Sequence, residues 1–467
     1  MLMVAGCSTP PTHYALIEDS LRAGDRGKAD QIMEQAEPSY GAKSRVLYGM
    51  ERGMTLHLAG RYQDSNAVLD LADTEAEKLY TRRIRIETKA FMLNDTDLPY
   101  EGESFERVMI NVLKALNYAV IGNWESSLVE ARRIDQRLNV LADQANGGDV
   151  YREDAFARYL TGMLYEAAGE LNDAFIAYRK AYDHYWLMQG TTQVPAPYLL
   201  RADLLRITDA LNMTQEHEEY RQAFPETSWQ PAGETRHLAQ IVVFSYNGRA
   251  PRKEDRFIDL PVSLEALKLV LLTKGVLGAS TQDTRAAESV LYGMNGRVVR
   301  VAIPALVPQK TAVTYGEISL RNPDMDIHAR TERVQNVTAL AEQDLSEHMA
   351  GVATKAVARA AVKYAMAEGV SQGVHSAAGQ NNAGALIAIF VRLLAHTLAV
   401  GTEEADKRSW RTLPDEVQVA RLWVPAGSYE LRVRSVGRNG ERVGRDAVHP
   451  VILEAGETRF ITERVLQ

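Results

Sequence analysis

Small residues at helical spacing in segment 162–181 constrain this chain more than any other feature. Gly162 has no side chain to hold a second helix away, and Ala174 permits close crossing from that second helix. Gly169 lies between them, where it supports a tight turn. Apolar residues complete the buried stripe at Tyr165, Tyr178 and Ala181. The segment therefore predicts two helices packed as a hairpin.

This spacing resembles the tetratricopeptide repeat nearly position for position. Two weaker copies, 53–72 and 115–134, align to the same frame, with turn glycines at Gly60 and Gly122. Consecutive turn glycines are 62 and 47 residues apart, whereas the family repeats about every 34. We therefore expect extra helices between the repeats, and a degenerate closing pair over 196–224 that caps the stack.

The hydrophobic period divides the chain into two halves. A length of 467 residues favours two or three domains. Residues 1–14 precede the helical region. Apolar residues recur every three or four positions through 15–225, and this period changes in 226–467. The expected fold class is multidomain α+β: an irregular tetratricopeptide-like α-solenoid followed by a mixed β-rich domain.

The resemblance implies a binding groove along the first helices of the repeats, which would receive a peptide or a partner's helix. The expected groove residues are Asn111, Lys114, Asn117, Arg158 and Thr161. Each of these is individually more often a solvated surface residue. We expect charge reversal at Lys114 and Arg158 to abolish binding. The proline that usually follows the family's second helix is absent, since Trp186 occupies its place.

The C-terminal half contains short β-branched or alternating segments that predict strands. The expected strands are 238–246, 297–304, 312–320, 417–424, 428–434, 447–454 and 458–466. The first two strands of the segment from about 415 to 467 are joined by Pro-Ala-Gly, which predicts a hairpin. This last segment is expected to form a small antiparallel β-sandwich-like module.

An Ala-rich helical hairpin is expected at about 342–400. Its second arm, 385–400, is the most apolar stretch of the chain but holds only about 16 residues, fewer than a bilayer span of about 20. Arg392 and His396 lie one turn apart on it. The arm either packs on the chain's own sheet or contacts a membrane or a partner.

The single cysteine, Cys7, follows Val-Ala-Gly and precedes Ser8. This segment resembles a bacterial lipobox, which implies cleavage before Cys7 and acylation of that residue. In Gram-negative lipoproteins a serine at the next position permits export to the outer membrane. Only six residues precede Cys7, so we expect the start codon to lie further upstream. An ordinary cytosolic N-terminus is the alternative.

The chain contains no His-Glu-x-x-His zinc-protease motif and no Gly-x-x-x-x-Gly-Lys-Ser/Thr phosphate-binding loop. A net charge of −8 argues against a nucleic-acid binder. A metal-like spacing occurs at Asp324, Asp326 and His328, but no fourth ligand is evident, so we expect no metal site there. We also expect no cofactor and no catalytic residue. The basic turn with Arg249, Arg252 and Lys253 could bind an anion, although a solvated turn is the commoner outcome.

Taken together, the lipobox, segments 122–134 and 409–427 resemble a group of proteobacterial outer-membrane lipoproteins with tetratricopeptide-like repeats and a mixed α/β C-terminal region. The resemblance does not itself supply a biochemical role. From the lipobox and the helical groove we expect a lipid-anchored, periplasm-facing scaffold that binds a protein partner in cell-envelope assembly or regulation. We expect no nucleic-acid partner, and the sequence identifies no small-molecule substrate. The alternative is an envelope glycan- or peptidoglycan-binding factor or enzyme with its site in the C-terminal half. A soluble cytosolic adaptor remains only if the lipobox is accidental.

Overall fold

The computed structural model describes residues 12–90, 98–144, 154–261, 298–349 and 405–466. Cys7 lies outside the described residues. So do Arg392, His396 and most of the predicted hairpin at 342–400.

The N-terminal half consists of paired helices throughout its described residues. The pairs are α1 (Thr12–Arg22) with α2 (Arg26–Gln35), α3 (Arg45–Leu58) with α4 (Tyr62–Ala90), α5 (Ser104–Val120) with α6 (Trp124–Gln144), α7 (Ala155–Ala167) with α8 (Leu171–Thr192), and α9 (Tyr198–Ala210) with α10 (Thr214–Ala223). A short helix, α11 (Ala232–Thr235), follows. The half is thus a stack of tetratricopeptide-like hairpins, and it includes a first pair that the sequence analysis did not align.

All five pairs turn in the same way. A residue with positive φ ends each first helix, and these residues are Gly24, Gly60, Gly122, Gly169 and Asn212, with φ between 54° and 84°. The next N–H then donates to the carbonyl five residues earlier at 2.8–2.9 Å, which satisfies the helix end. The three predicted turn glycines are confirmed. In the last pair Asn212 takes the place of the glycine, because asparagine tolerates the left-handed region.

Helix crossings are close where the sequence has glycine. A Cβ on Gly162 would lie 2.4 Å from the Tyr178 ring, and one on Gly53 would lie 2.3 Å from Leu69. The length of α4, which alone takes up 29 residues, accounts for part of the long spacing between repeats. The described residues between α4 and α5 and between α6 and α7 contain no additional helix, while 91–97 and 145–153 lie outside the described residues.

After α11, the described part of the C-terminal half contains ten strands and one further helix. The strands are β1 (Ala239–Asn247), β2 (Arg252–Pro261), β3 (Val298–Val307), β4 (Val313–Arg321), β5 (Asp326–Arg330), β6 (Glu332–Asn336), β7 (Glu416–Val424), β8 (Gly427–Gly437), β9 (Arg442–Leu453) and β10 (Thr458–Val465). The helix, α12, covers 337–349 as far as the structure describes it. The first sheet has the order β10-β1-β7-β6, the second has β5-β4-β8-β9, and β2 pairs with β3 alone.

The predicted terminal module is not a separate unit. β7 pairs with β1 and β6 in the first sheet, whereas β8 pairs with β4 and β9 in the second. The expected hairpin between 417–424 and 428–434 is therefore wrong, because the Pro-Ala-Gly segment carries the chain from one sheet to the other. β10 returns to the first sheet, parallel to β1.

Three layers result, with the first sheet between the helices and the second sheet. Alternate residues of β1 show this arrangement. Val242 and Phe244 pack into the core shared with the helices, whereas Ile241 and Val243 pack against the second sheet. Burial on both faces explains why β1 is a continuous apolar run. Among the described helices, none combines the length and the hydrophobicity that a membrane span requires.

Candidate protein-binding surfaces

The predicted groove residues lie inside the protein. Asn111, Lys114, Asn117, Arg158 and Thr161 are each at most 1% exposed. Lys114 Nζ lies 2.8 Å from Asp70 Oδ1 and 3.1 Å from Glu130 Oε1. Arg158 donates to Asn139 Oδ1 at 2.7 Å. Lys114 and Arg158 thereby join first helices to second helices, and all five side chains are closed to a partner, which corrects the prediction of an open groove.

Buried carboxylates of the first helices bind the chain's own C-terminal half instead. Glu51 of α3 accepts the backbone N–H groups of Arg411 and Thr412 at 2.8 and 3.0 Å. Glu106 of α5 accepts the N–H of Trp410 at 2.7 Å. Both carboxylates thereby hold the segment that leads into β7.

The later pairs repeat this arrangement on the first sheet itself. Asp154, which caps α7, accepts from Gln335 Nε2 of β6 at 2.7 Å. Asp203 of α9 forms an ion pair with Arg421 of β7, and Glu166 lies 2.9 Å from the same guanidinium. The surface that the repeats offer on their first helices is therefore occupied by the first sheet and its flanking segments.

These carboxylates titrate unusually because they are buried. Desolvation raises the pKa of Asp154 to about 6, despite hydrogen bonds that favour its charged form. Burial, with the negative charge of Glu103 nearby, raises the pKa of Glu106 to about 7. Desolvation also raises the pKa values of Glu51 and Asp203. We therefore expect the contact between the two halves to depend on pH.

Lys253, predicted to bind an anion, faces a buried acidic cluster. It pairs with Glu103, and its side chain is 8% exposed. Together with Glu106 and Asp344 these groups line an enclosed cavity of about 10 Å³, the size of one water molecule. Because Lys253 is buried and its charge is neutralised by Glu103, it is not available to an external anion, which corrects the prediction for this residue. Burial and the charge of Glu103 raise the pKa of Asp344 well above its ordinary value.

The two arginines of the same turn remain at the surface. Arg249 lies 2.7 Å from Glu18, and Arg252 lies 2.7 Å from Glu254. Both arginines line a surface depression of about 350 Å³ together with Lys310. The structure thus keeps part of the predicted basic cluster together but separates it from Lys253.

The metal-like spacing at the start of β5 has other partners. Asp326 lies 2.9 Å from Arg321 and 3.1 Å from His328. The hydrogen bond from Arg321 lowers the pKa of Asp326. Within the part of the chain that the structure describes, no group of three or more His, Cys, Asp or Glu side chains is placed to hold a metal ion.

One surface was missed by the sequence analysis. We call it the outer helical face: the exposed sides of α6 and α8, opposite the first sheet. It carries the apolar residues Val129, Val140, Ile176, Trp186 and Leu187. Trp186 is 72% exposed and Leu187 is 51% exposed. The sequence signal for this surface was Trp186, which stands where the tetratricopeptide family usually has proline.

Comparisons with known proteins add little to this geometry. No protein-family model and no curated protein matches the chain. Among solved structures, MamA from Desulfovibrio magneticus RS-1 aligns with 46% of this chain and 91% of its own at 16% identity and a TM-score of 0.28.

Two further solved structures align at similar levels. TPR-like repeats of a kinesin light chain from Podosopora anserina align with 46% of this chain and 96% of their own at 15% identity, with a TM-score of 0.30. The Rap conjugation gene regulator of plasmid pLS20, solved with the Phr* peptide, aligns with 45% of this chain and 52% of its own at 13% identity and a TM-score of 0.28. These scores are too low to carry an argument, so the repeats are assigned from the helix pairs themselves.

Proposed function

We propose that this protein is a lipid-anchored, periplasm-facing adaptor that binds a protein partner in cell-envelope assembly or regulation. The observation that carries the binding role is the exposure of Trp186 beside Leu187 on α8. Large apolar side chains that the fold leaves in water are typical of interaction sites, and tryptophan is enriched among the residues that dominate binding energy. The anchor rests on the lipobox resemblance around Cys7.

The contacts between the two halves indicate which surface of the repeats is left for a partner. The first helices are covered by the first sheet and its flanking segments, through contacts such as Asp203 with Arg421. The second helices α6 and α8 keep their outer sides exposed. We therefore assign partner binding to the outer helical face rather than to the inner groove of the repeats.

Site-specific photo-crosslinking in cells tests the docking surface. A photoreactive amino acid replaces Trp186 in one variant and Ile452 in a matched control. Ile452 is equally exposed, at 71%, but lies on β9 in the second sheet. We expect a specific crosslinked protein from position 186 alone. Crosslinks from position 452 alone would contradict this assignment.

Membrane fractionation tests the anchor. The chain is expressed behind a complete lipoprotein signal sequence, with and without Cys7→Ser. We expect the parent protein in the outer-membrane fraction and the variant in the soluble periplasm, because several acyl chains are needed for stable attachment. Unchanged fractionation of the variant would overturn the lipoprotein assignment.

A second candidate function is binding of an anionic envelope glycan or peptidoglycan fragment by the C-terminal half. The observation in its favour is the depression shared by Arg249, Arg252 and Lys310. Binding of peptidoglycan fragments to the full chain that is lost in the Arg249→Glu, Arg252→Glu double variant would favour this role. Unchanged binding in the double variant would exclude this depression as the site.

A further inference from the structure

The apolar residues of the outer helical face recur in register. Val129 of α6 and Ile176 of α8 each stand seven residues after the turn glycine of their own pair. Val140 and Leu187 each stand eighteen residues after it. The four side chains are 43–51% exposed. Two successive repeats thus present apolar residues at the same two positions.

Basic residues occupy the same positions of both helices between these apolar residues. Arg132 and Arg179 follow their turn glycines by ten residues, and Arg133 and Lys180 by eleven. Arg133 lies 3.0 Å from Glu130. The other three form no ion pair with any residue that the structure describes. The centre of the face therefore carries basic groups for which the described residues provide no ion-pair partner, although Asp135 and Asp183 lie on the same two helices.

The spacing along each helix defines the shape of an occupant. Eleven residues are about three turns, so the two apolar positions lie about 16 Å apart on one side of the helix. Both helices pack on α7, where the hydroxyl of Tyr165 interacts with Arg132 of α6 and Asp173 of α8. An occupant lying along this face would contact both apolar positions and the basic centre together.

We propose that the outer helical face binds an acidic amphipathic helix of a partner protein. This inference rests on the proposed adaptor function and names its partner class. Apolar residues three turns apart in the partner helix contact the apolar positions, and Trp186 provides a further anchor. Carboxylates between them face Arg132, Arg179 and Lys180. Charge complementarity of this kind sets specificity and association rate.

Designed peptides and the full chain carrying Cys7→Ser test this proposal. The probe is a fluorescent helical peptide of about 18 residues, with leucines three turns apart and glutamates between them. Two matched peptides carry lysine in place of glutamate, or serine in place of leucine. Fluorescence anisotropy measures the dissociation constants.

We expect saturable binding of the acidic leucine peptide only. The Arg132→Glu, Arg179→Glu, Lys180→Glu variant should bind it about tenfold more weakly or worse, and should gain binding of the lysine peptide. Arg221→Glu on α10 is the control, since this arginine is 61% exposed but lies outside the face. Circular dichroism checks that the triple variant is folded.

Equal binding of the acidic and lysine peptides, or binding unchanged by charge reversal, would overturn the inference. Crosslinking from position 186 shows whether only the acidic partner helix is wrong or the proposed adaptor function is wrong as well. If position 186 crosslinks a protein while the peptides show no charge preference, the adaptor role stands and the acidic partner does not. If position 186 crosslinks nothing, the docking surface itself is wrong.

Discussion

Gly162→Ala is the sharpest test of the helix packing on which the repeat assignment depends. A Cβ at this position would lie 2.4 Å from Cδ1 and 2.5 Å from Cε1 of Tyr178, against ordinary contacts of about 3.4–4 Å. The Tyr178 ring is fully buried. Its hydroxyl donates to Glu166 Oε2 at 2.6 Å and accepts from Arg421 Nη1 at 3.2 Å. The ring therefore cannot move aside without disturbing the contact with the first sheet.

The expected cost follows from three contributions. Overpacking a buried site costs about 1–3 kcal/mol. Distortion of the Tyr178 hydrogen bonds adds about 1 kcal/mol, and the higher helix propensity of alanine returns about 1 kcal/mol. We therefore expect Gly162→Ala to lower the free energy of unfolding by about 2 kcal/mol, since the last two contributions cancel.

Gly190→Ala is the matched control. Gly190 is also helical, in α8, but a Cβ there would meet nothing within 4 Å. This substitution should raise the free energy of unfolding by up to about 1 kcal/mol. Urea unfolding of the full chain, followed by circular dichroism, measures both variants. A Gly162→Ala midpoint at or above that of the parent protein would refute the steric argument.

Three further predictions concern the contact between the halves and the outer helical face. Arg421→Met should lower stability by about 1.5–3 kcal/mol in calorimetry, because Asp203 and Glu166 each lose one of two buried guanidinium partners and keep only Arg206. A melting temperature equal to that of the parent would contradict this. Burial raises the pKa of Asp154 from 3.8 to about 6, so the folded state takes up a proton. The free energy of unfolding should therefore fall by up to about 3 kcal/mol as the pH rises from about 4 to about 7. Asp154→Asn should remove this part of the pH profile, and an unchanged profile would assign it to other groups. Trp186→Ala should change stability by less than about 0.5 kcal/mol while weakening partner binding, because the side chain is exposed; a large loss of stability would show that it packs in the core.

The sequence by itself determined the helical pairs, because their causes are local. A residue that accepts positive φ, such as Gly122 or Gly169, ends the first helix within a few positions of the second. Small residues such as Gly162 then meet a partner only 16 residues away. The strands were also locally recognisable, since β-branched alternation identified β1, β3, β4 and β8 close to their observed bounds.

The tertiary structure alone decided which surfaces are covered. Lys114 and Arg158 look like solvated groups in the sequence, yet both are buried against carboxylates 16 to 44 residues away. A charged side chain can be buried only where an oppositely charged partner contacts it, and the sequence does not reveal which residues are in contact. The division of β7 and β8 between two sheets likewise depends on pairing with β1 and β4, about 100 to 180 residues earlier. Long-range pairing placed the first sheet over the first helices, and so left apolar residues of α6 and α8, such as Val129 and Trp186, exposed on the outer side.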